Sequence, residues 1–492
     1  MKSFDEPKKV LEGLQNQPLW QYFYDITRIP RESGNEKQMR QYLVDFALLH
    51  GFSYHIDQTG NLILYCPATK GMESLPSVAL QGHMDMVCVK DEGVDHDFAT
   101  DPIILVRDGD WLKALGTTLG ADNGVALALI LDLFSDKKAQ HGPLEAIFTV
   151  EEETGLTGAF GLDASKLNSR LMINLDSEDE GTFYIGCAGG IESSSVIERD
   201  LQTLDSEMIL WEVAVDGLSG GHSGAEIHKQ RGNAIAILAR ALKEIAMSME
   251  LHIVSLTGGT KRNVIPSTSM ALVAIPQKQA SQIFSLLKKV EQEVQKELAY
   301  VDDLVRIIGC QAKSKEKEAS SLAVSTRLIN ALLLAPHGVY RMSSTIEGMV
   351  ETSSNLAIIN TTEKAFEIIS SHRSALACSR DFVANRSLLA FETAGGSGSL
   401  SGGYPAWTPD INSPIAKHCA AVWEKTMDSK AVITAIHAGL ECGIINSLVE
   451  GMDSVSFGPN MKDVHSTAER LSISSTEKLA TFLRQLLLTI GS

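Results

Sequence analysis

The stretch AIFTVEEETG (Ala146–Gly155) constrains this chain more than any other. Its apolar, strand-forming residues stop abruptly at three consecutive carboxylates, Glu151, Glu152 and Glu153. A short apolar run of this kind suits a strand buried on both faces. Acids that follow it directly fall at the strand's C-terminal mouth, where open α/β sheets bind their ligands. The same layout recurs in SVALQGHMD, which ends in His83 and Asp85, and in RLMINLD, which ends in Asp176. The three ends are expected to converge on metal ions.

The rest of the chain supplies the frame. VLEGL, LWQYFYDITRI and KQMRQYLVDFALLHG carry apolar residues at helical spacing, with Gly51 as a C-cap. NLILYCPA reads as a strand, and ADNGVALALILDLF as a helix opened by Asp122, where a carboxylate suits the helix dipole. Alternating β and α signals up to Leu175 imply an α/β fold with a mostly parallel sheet. After CAGG (Cys187–Gly190) the texture changes to longer, half-exposed strands and amphipathic helices. That segment reads as an inserted α+β domain over 188–397, closed by the hinge-like GGSGSLSGGYP (Gly395–Pro405). Residues 1–187 and 398–492 would then form one catalytic domain in two pieces.

Composition narrows the function. A formal net charge of −18 argues against nucleic acid and anionic membranes as partners. No run approaches the ~18 apolar residues of a membrane span, and MKSFDEPKKVLEGL has no apolar leader core. The seven cysteines form no CxxC pair, which suits reduced thiols in the cytoplasm and leaves no thiolate metal site. No P-loop or Rossmann fingerprint is present. The ligating candidates are therefore imidazoles and carboxylates, a set that suits zinc first, with manganese or cobalt also compatible.

Taken together, GHMDMV, LGADNG, TVEEETG, NLDSE, GLSGGHSG, KRNVIP and VHSTAE resemble the M20 metallopeptidases in order and spacing, from Gly82 to Glu469. The resemblance implies a di-metal catalytic domain with an inserted lid. His83 and Asp176 would bind one ion, Glu152 and His465 the other, with Asp122 between them and a cis Asp122–Asn123 bond. Asp85 would orient His83, Glu151 would be the general base acting on a metal-activated water, and His222 of the lid would donate to the oxyanion. Asn263 and Arg373 would hold the substrate backbone and C-terminal carboxylate, Arg by paired hydrogen bonds. Gly439 and Glu441 of HAGLECG would line the amino side.

Within that family, HAGLECG and the long insert most resemble members that cleave dipeptides ending in histidine, and the resemblance implies substrates such as β-alanyl-histidine. The alternatives are a deacylase or aminotripeptidase of the same family, or a non-catalytic metal-binding scaffold. Relatives lead one to expect a homodimer. The size of the insert leaves open whether His222 serves its own chain or a neighbour.

Overall fold

The computed structural model describes residues 10–491. The N-terminal stretch expected to lack an apolar leader core lies in part outside that range. No helix among the described residues is long and apolar enough to cross a membrane. The chain divides into two compact units: one holds the residues up to Cys187, Pro409–Ala435 and Leu440 onward, the other Ala188–Thr408 and Ile436–Gly439.

The first unit is built on an eight-stranded sheet. In spatial order its strands are Ser53–Ile56, Leu62–Cys66, Leu144–Thr149, Val78–His83, Leu171–Asn174, Asp453–Ser456, Thr182–Cys187 and Val432–Ile436. The central four, Leu144–Thr149 to Asp453–Ser456, run parallel. The strands flanking them at Leu62–Cys66 and Thr182–Cys187 pair antiparallel. Parallel register puts the C-termini of the central strands side by side, so His83 pairs with Thr149 and Gln81 with Asn174.

Burial follows the sequence pattern. The strands at 78–83 and 144–149 are buried at every position. The helix Ala121–Ser135 is apolar nearly all round and correspondingly buried. Helices Pro414–Met427 and Ile473–Thr489 return to the first unit through an aromatic cluster. In it Phe183, Trp423, Phe457 and Phe482 lie with ring centroids 5.0–5.9 Å apart.

The second unit is a nine-stranded, antiparallel sheet with four longer helices, Ala234–Ser248, Ile283–Glu297, Leu322–Leu334 and Ala377–Glu392. Its two halves meet at a single backbone pair, Gly258 with Ile359. The glycine- and serine-rich stretch expected as a hinge is instead an edge strand, Ser397–Tyr404, paired with Gly189–Glu198. Its small residues have a packing reason. A Cβ on Gly398 would come within 2.7 Å of Leu388 on the covering helix and 2.8 Å of the Ser194 carbonyl.

One glycine links fold to site. A Cβ on Gly82 would lie 2.8 Å from Ala126 and collide with the Asn123 side-chain oxygen. Gly82→Ala is therefore expected to lower unfolding stability by about 1–3 kcal/mol, measured by urea denaturation. It should also loosen Asn123, whose carboxamide joins two strand ends.

Candidate metal centre

Each acid-bearing strand end delivers its side chain to one place. His83 closes its strand and is 1% exposed; its Nε2 is 3.0 Å from Asp122 Oδ1 and 3.4 Å from Asp176 Oδ1. Asp122 turns its second oxygen to His465, with Oδ2 3.0 Å from Nε2. His465 Nε2 is in turn 3.1 Å from Glu153 Oε2. The donor atoms form three overlapping groups: His83–Asp122–Asp176, Asp122–Glu153–His465 and His83–Glu152–Glu153. Asp122 thus joins the first two groups, and the Asp122–Asn123 peptide is cis.

The backbone around these donors is tied down. Asn123 Nδ2 donates to the Leu175 carbonyl at 3.0 Å, and its Oδ1 accepts from His83 N at 3.2 Å. Asp85 is fully buried and accepts from Ser33 Oγ (2.7 Å), Glu152 N (3.1 Å) and Glu153 N (3.2 Å). Its Oδ1 also lies 3.2 Å from His83 Nδ1. Burial alone would raise the Asp85 carboxyl; His83, Ser33 and the turn's N–H groups outweigh it and hold the pKa at about 2.

At the acidic turn the neighbour of His465 differs from the sequence reading by one residue. Glu151, expected as the base, is in none of the donor groups, and Glu152, expected beside His465, is grouped with His83. The residue that meets His465 is Glu153. The cause is backbone geometry: the strand ends at Thr149, and Glu151 takes a left-handed conformation with φ of 50°. Strand alternation stops there, so the in-and-out pattern of the strand does not carry over to the three acids.

The donor set fits cations. Four carboxylates and two imidazoles make up the three groups, and no thiolate is among them. Burial, with neighbouring Asp122, pushes Asp176 up to about 8. Hydrogen bonds to Asp122 and Glu153 raise His465 to about 11. Glu153 Oε1 is buried without a hydrogen-bond partner among the described residues. Four crowded carboxylates, one with an orphaned oxygen, call for more positive charge than two imidazoles can supply. This is the chemistry of a carboxylate–imidazole divalent site.

Glu441 departs from expectation. It is fully buried, and its Oε2 accepts from Gln81 Nε2 (2.6 Å) and Thr149 Oγ1 (2.7 Å). Burial pushes its pKa up to about 7. The helix Glu441–Leu448 starts with this side chain, held against Gln81 and Thr149 of the strand ends. Glu469 and Arg31, to which the sequence gave no role, also pack beside the centre; their signal is only that both are charged and buried.

The second unit gathers the remaining candidates. His222 Nδ1 accepts from Ala225 N at 2.9 Å and Gly224 N at 3.3 Å. A neutral His222 therefore carries its proton on Nε2. Arg373 Nη1 donates to Tyr404 Oη at 2.8 Å. A Cβ on Gly224 would lie 3.1 Å from the His222 ring and 3.2 Å from Arg373 Nε, so the glycine permits their approach. Gly439 packs on Tyr404, where an added Cβ would lie 3.0 Å from the ring. Asn263 is exposed, and its carbonyl accepts from Ser223 N at 2.9 Å. His437 is bonded through Nε2 to Ser353 Oγ at 2.7 Å.

A parallel sheet whose strand ends carry overlapping imidazole and carboxylate donors defines a metal-dependent hydrolase. Peptidase family M20/M25/M40 matches residues 79–489, and the chain belongs to that family. It is 38% identical, over 97% of its length and 98% of the relative's, to the cytosol non-specific dipeptidase of Escherichia coli (strain K12). It resembles the crystal structure of aminoacylhistidine dipeptidase from Vibrio alginolyticus with a TM-score of 0.89 at 38% identity, covering 100% of this chain and 99% of that one. A Bacillus cereus aminopeptidase shares the fold, with a TM-score of 0.58 at 17% identity over 97% of this chain and 100% of that one.

The overlapping groups predict two divalent ions per chain. His465→Ala removes a donor from only one of the two groups that meet at Asp122. After exhaustive dialysis, elemental analysis should find about two ions in the parent and about one in the variant.

Proposed function

We propose that this chain is a cytosolic dipeptidase that cleaves unblocked dipeptides, with preference for those ending in histidine. The observation that carries the reading is the Asp122 carboxylate, shared between His83 and His465 at 3.0 Å on either side. Two relatives, each 38% identical across essentially the whole chain, are named for dipeptide hydrolysis. The name of one of them supports the histidine preference. Seven free cysteines support a reducing compartment.

His83 and Asp176 would hold one cation, Glu153 and His465 the other, with Asp122 between; zinc suits the set, as do manganese and cobalt. When bound, the pair supplies Lewis acidity at the scissile carbonyl and its nucleophile. Glu152 is assigned as the general base, in place of Glu151. It is grouped with His83 and Glu153, and its backbone N–H is held by Asp85. It takes the proton of the attacking water and returns it to the departing amine. His222 presents Nε2–H as the donor for the developing oxyanion. Arg373, steadied by Tyr404, is assigned to the free C-terminal carboxylate, with Asn263 beside the substrate backbone and Gly439 on the amino side.

A hydrolysis panel tests the reading: β-alanyl-histidine, α-aminoacyl-histidines, non-histidine dipeptides, a tripeptide and N-acetyl-histidine, before and after chelation and metal re-addition. Chelator-sensitive cleavage confined to unblocked dipeptides is expected, fastest with C-terminal histidine. Preferential cleavage of N-acetyl-histidine or of the tripeptide would replace it with a deacylase or an aminotripeptidase.

Glu152→Gln should keep its ions and lose about 10²–10⁴-fold in kcat, whereas Glu151→Gln should stay within a few-fold of the parent. The reverse pattern would restore Glu151 as the base. His222→Ala should cost about 10²–10³-fold in kcat, read by steady-state kinetics.

A further inference from the structure

The short segment from His465 to Glu469 reaches Asp122 twice. His465 meets the side chain. Glu469 meets the backbone that carries it: Oε2 accepts from Leu119 N (2.7 Å) and Gly120 N (3.0 Å), and Oε1 from Ala121 N (2.8 Å) and Asp122 N (3.3 Å). Glu469 is 2% exposed. Four N–H donors use the acceptor sites of a carboxylate fully, which offsets the cost of burying its charge.

Arg31 closes the other side. It too is 2% exposed; its Nη1 donates to the carbonyls of Asp85 (2.7 Å) and Met84 (3.1 Å), and its Nη2 to the carbonyl of Gly120. The Gly120 peptide therefore sits between a buried anion on its N–H and a buried cation on its carbonyl. Only glycine fits there: φ is 68°, and a Cβ would lie 2.6 Å from Met86 Sδ. Glu469 is itself fixed by the strand that follows it, Arg470–Ser472, which pairs with residues of Trp111–Ala114.

A local Ser or Asp would suffice to cap a helix. Here the acceptor comes from 347 residues away in sequence and fixes the peptide N–H of Asp122, which joins the His83–Asp122–Asp176 and Asp122–Glu153–His465 groups. Slack in residues 119–122 would shift Asp122 against His83 and His465 together. We propose that Glu469 is a positioning residue for the cation centre, setting through the 119–122 backbone how the Asp122 carboxylate is shared between its two sides. This rests on the two-cation reading above.

The test is a cobalt(II) titration of the metal-stripped full chain, followed by visible absorption and by stoichiometry, for the parent, Glu469→Gln, Glu469→Asp and a core control. The control is Leu486→Ala, in the fully buried core of the C-terminal helix. Glu469→Gln places an amide against N–H donors. It should keep the parent's circular dichroism yet bind the second cobalt equivalent at least tenfold more weakly, with an altered d–d spectrum. Glu469→Asp keeps the charge and should recover part of both. Leu486→Ala should lower Tm and leave the titration unchanged.

Parent-like affinity and spectrum in Glu469→Gln would overturn the proposal. So would an equal loss of cobalt binding in Leu486→Ala. Failure of both Glu469 variants to fold would make the residue part of the fold and would overturn it as well. A parent chain that takes up no cobalt would instead overturn the two-cation reading, a separate result.

Discussion

One carboxylate shared between two imidazoles organises the first unit. Asp122 faces His83 with one oxygen and His465 with the other, and further acids close in from neighbouring strand ends. Gathering buried like charges is unfavourable unless each is hydrogen-bonded or neutralised. The fold meets that demand in two ways. Backbone N–H groups are aimed at the acids that hold the frame, Asp85 and Glu469. The acids left without such donors, Glu153 and Asp176 among them, are the ones whose donor atoms cluster. Framework acids and the clustered acids are thus distinguished by what their oxygens touch.

Parallel pairing of the central strands makes this geometry possible. Because His83 and Thr149 are register partners, the turn after one strand and the imidazole ending the other emerge at the same level. Asn123 then ties His83 to Leu175, bringing the third strand end and Asp176 into reach. The C-terminal segment completes the centre. It contributes a strand to the sheet, packs two helices through the Phe183–Trp423–Phe482 cluster, and carries His465 and Glu469 on one short stretch.

Much of this was legible in the sequence because burial and period carry strong signals. Apolar runs ending in acids gave the strands and their mouths, and the motif order gave the family. Three things were not legible. The identity of the acid beside His465 depended on the left-handed residue Glu151, and nothing in three identical side chains fixes the register of such a turn. The edge strand Ser397–Tyr404 has almost no apolar alternation, so its glycines read as flexibility although they answer to the close approach of Leu388. In the sequence Glu469 reads like any acid near a motif, and Glu441 as a residue of the amino side. Their roles come from tertiary contacts with Gln81, Thr149 and the 119–122 backbone. In the second unit, the tautomer of His222 follows from backbone N–H groups two and three residues on, which a motif alone does not reveal.

The most direct test of the central claim is anomalous diffraction at the metal edge from crystals of the metal-loaded chain. The account predicts two peaks flanking the Asp122 carboxylate, one beside His83 and Asp176 and the other beside Glu153 and His465. A single peak, or a second ion held by Glu151 or Glu152 in place of Glu153, would contradict it.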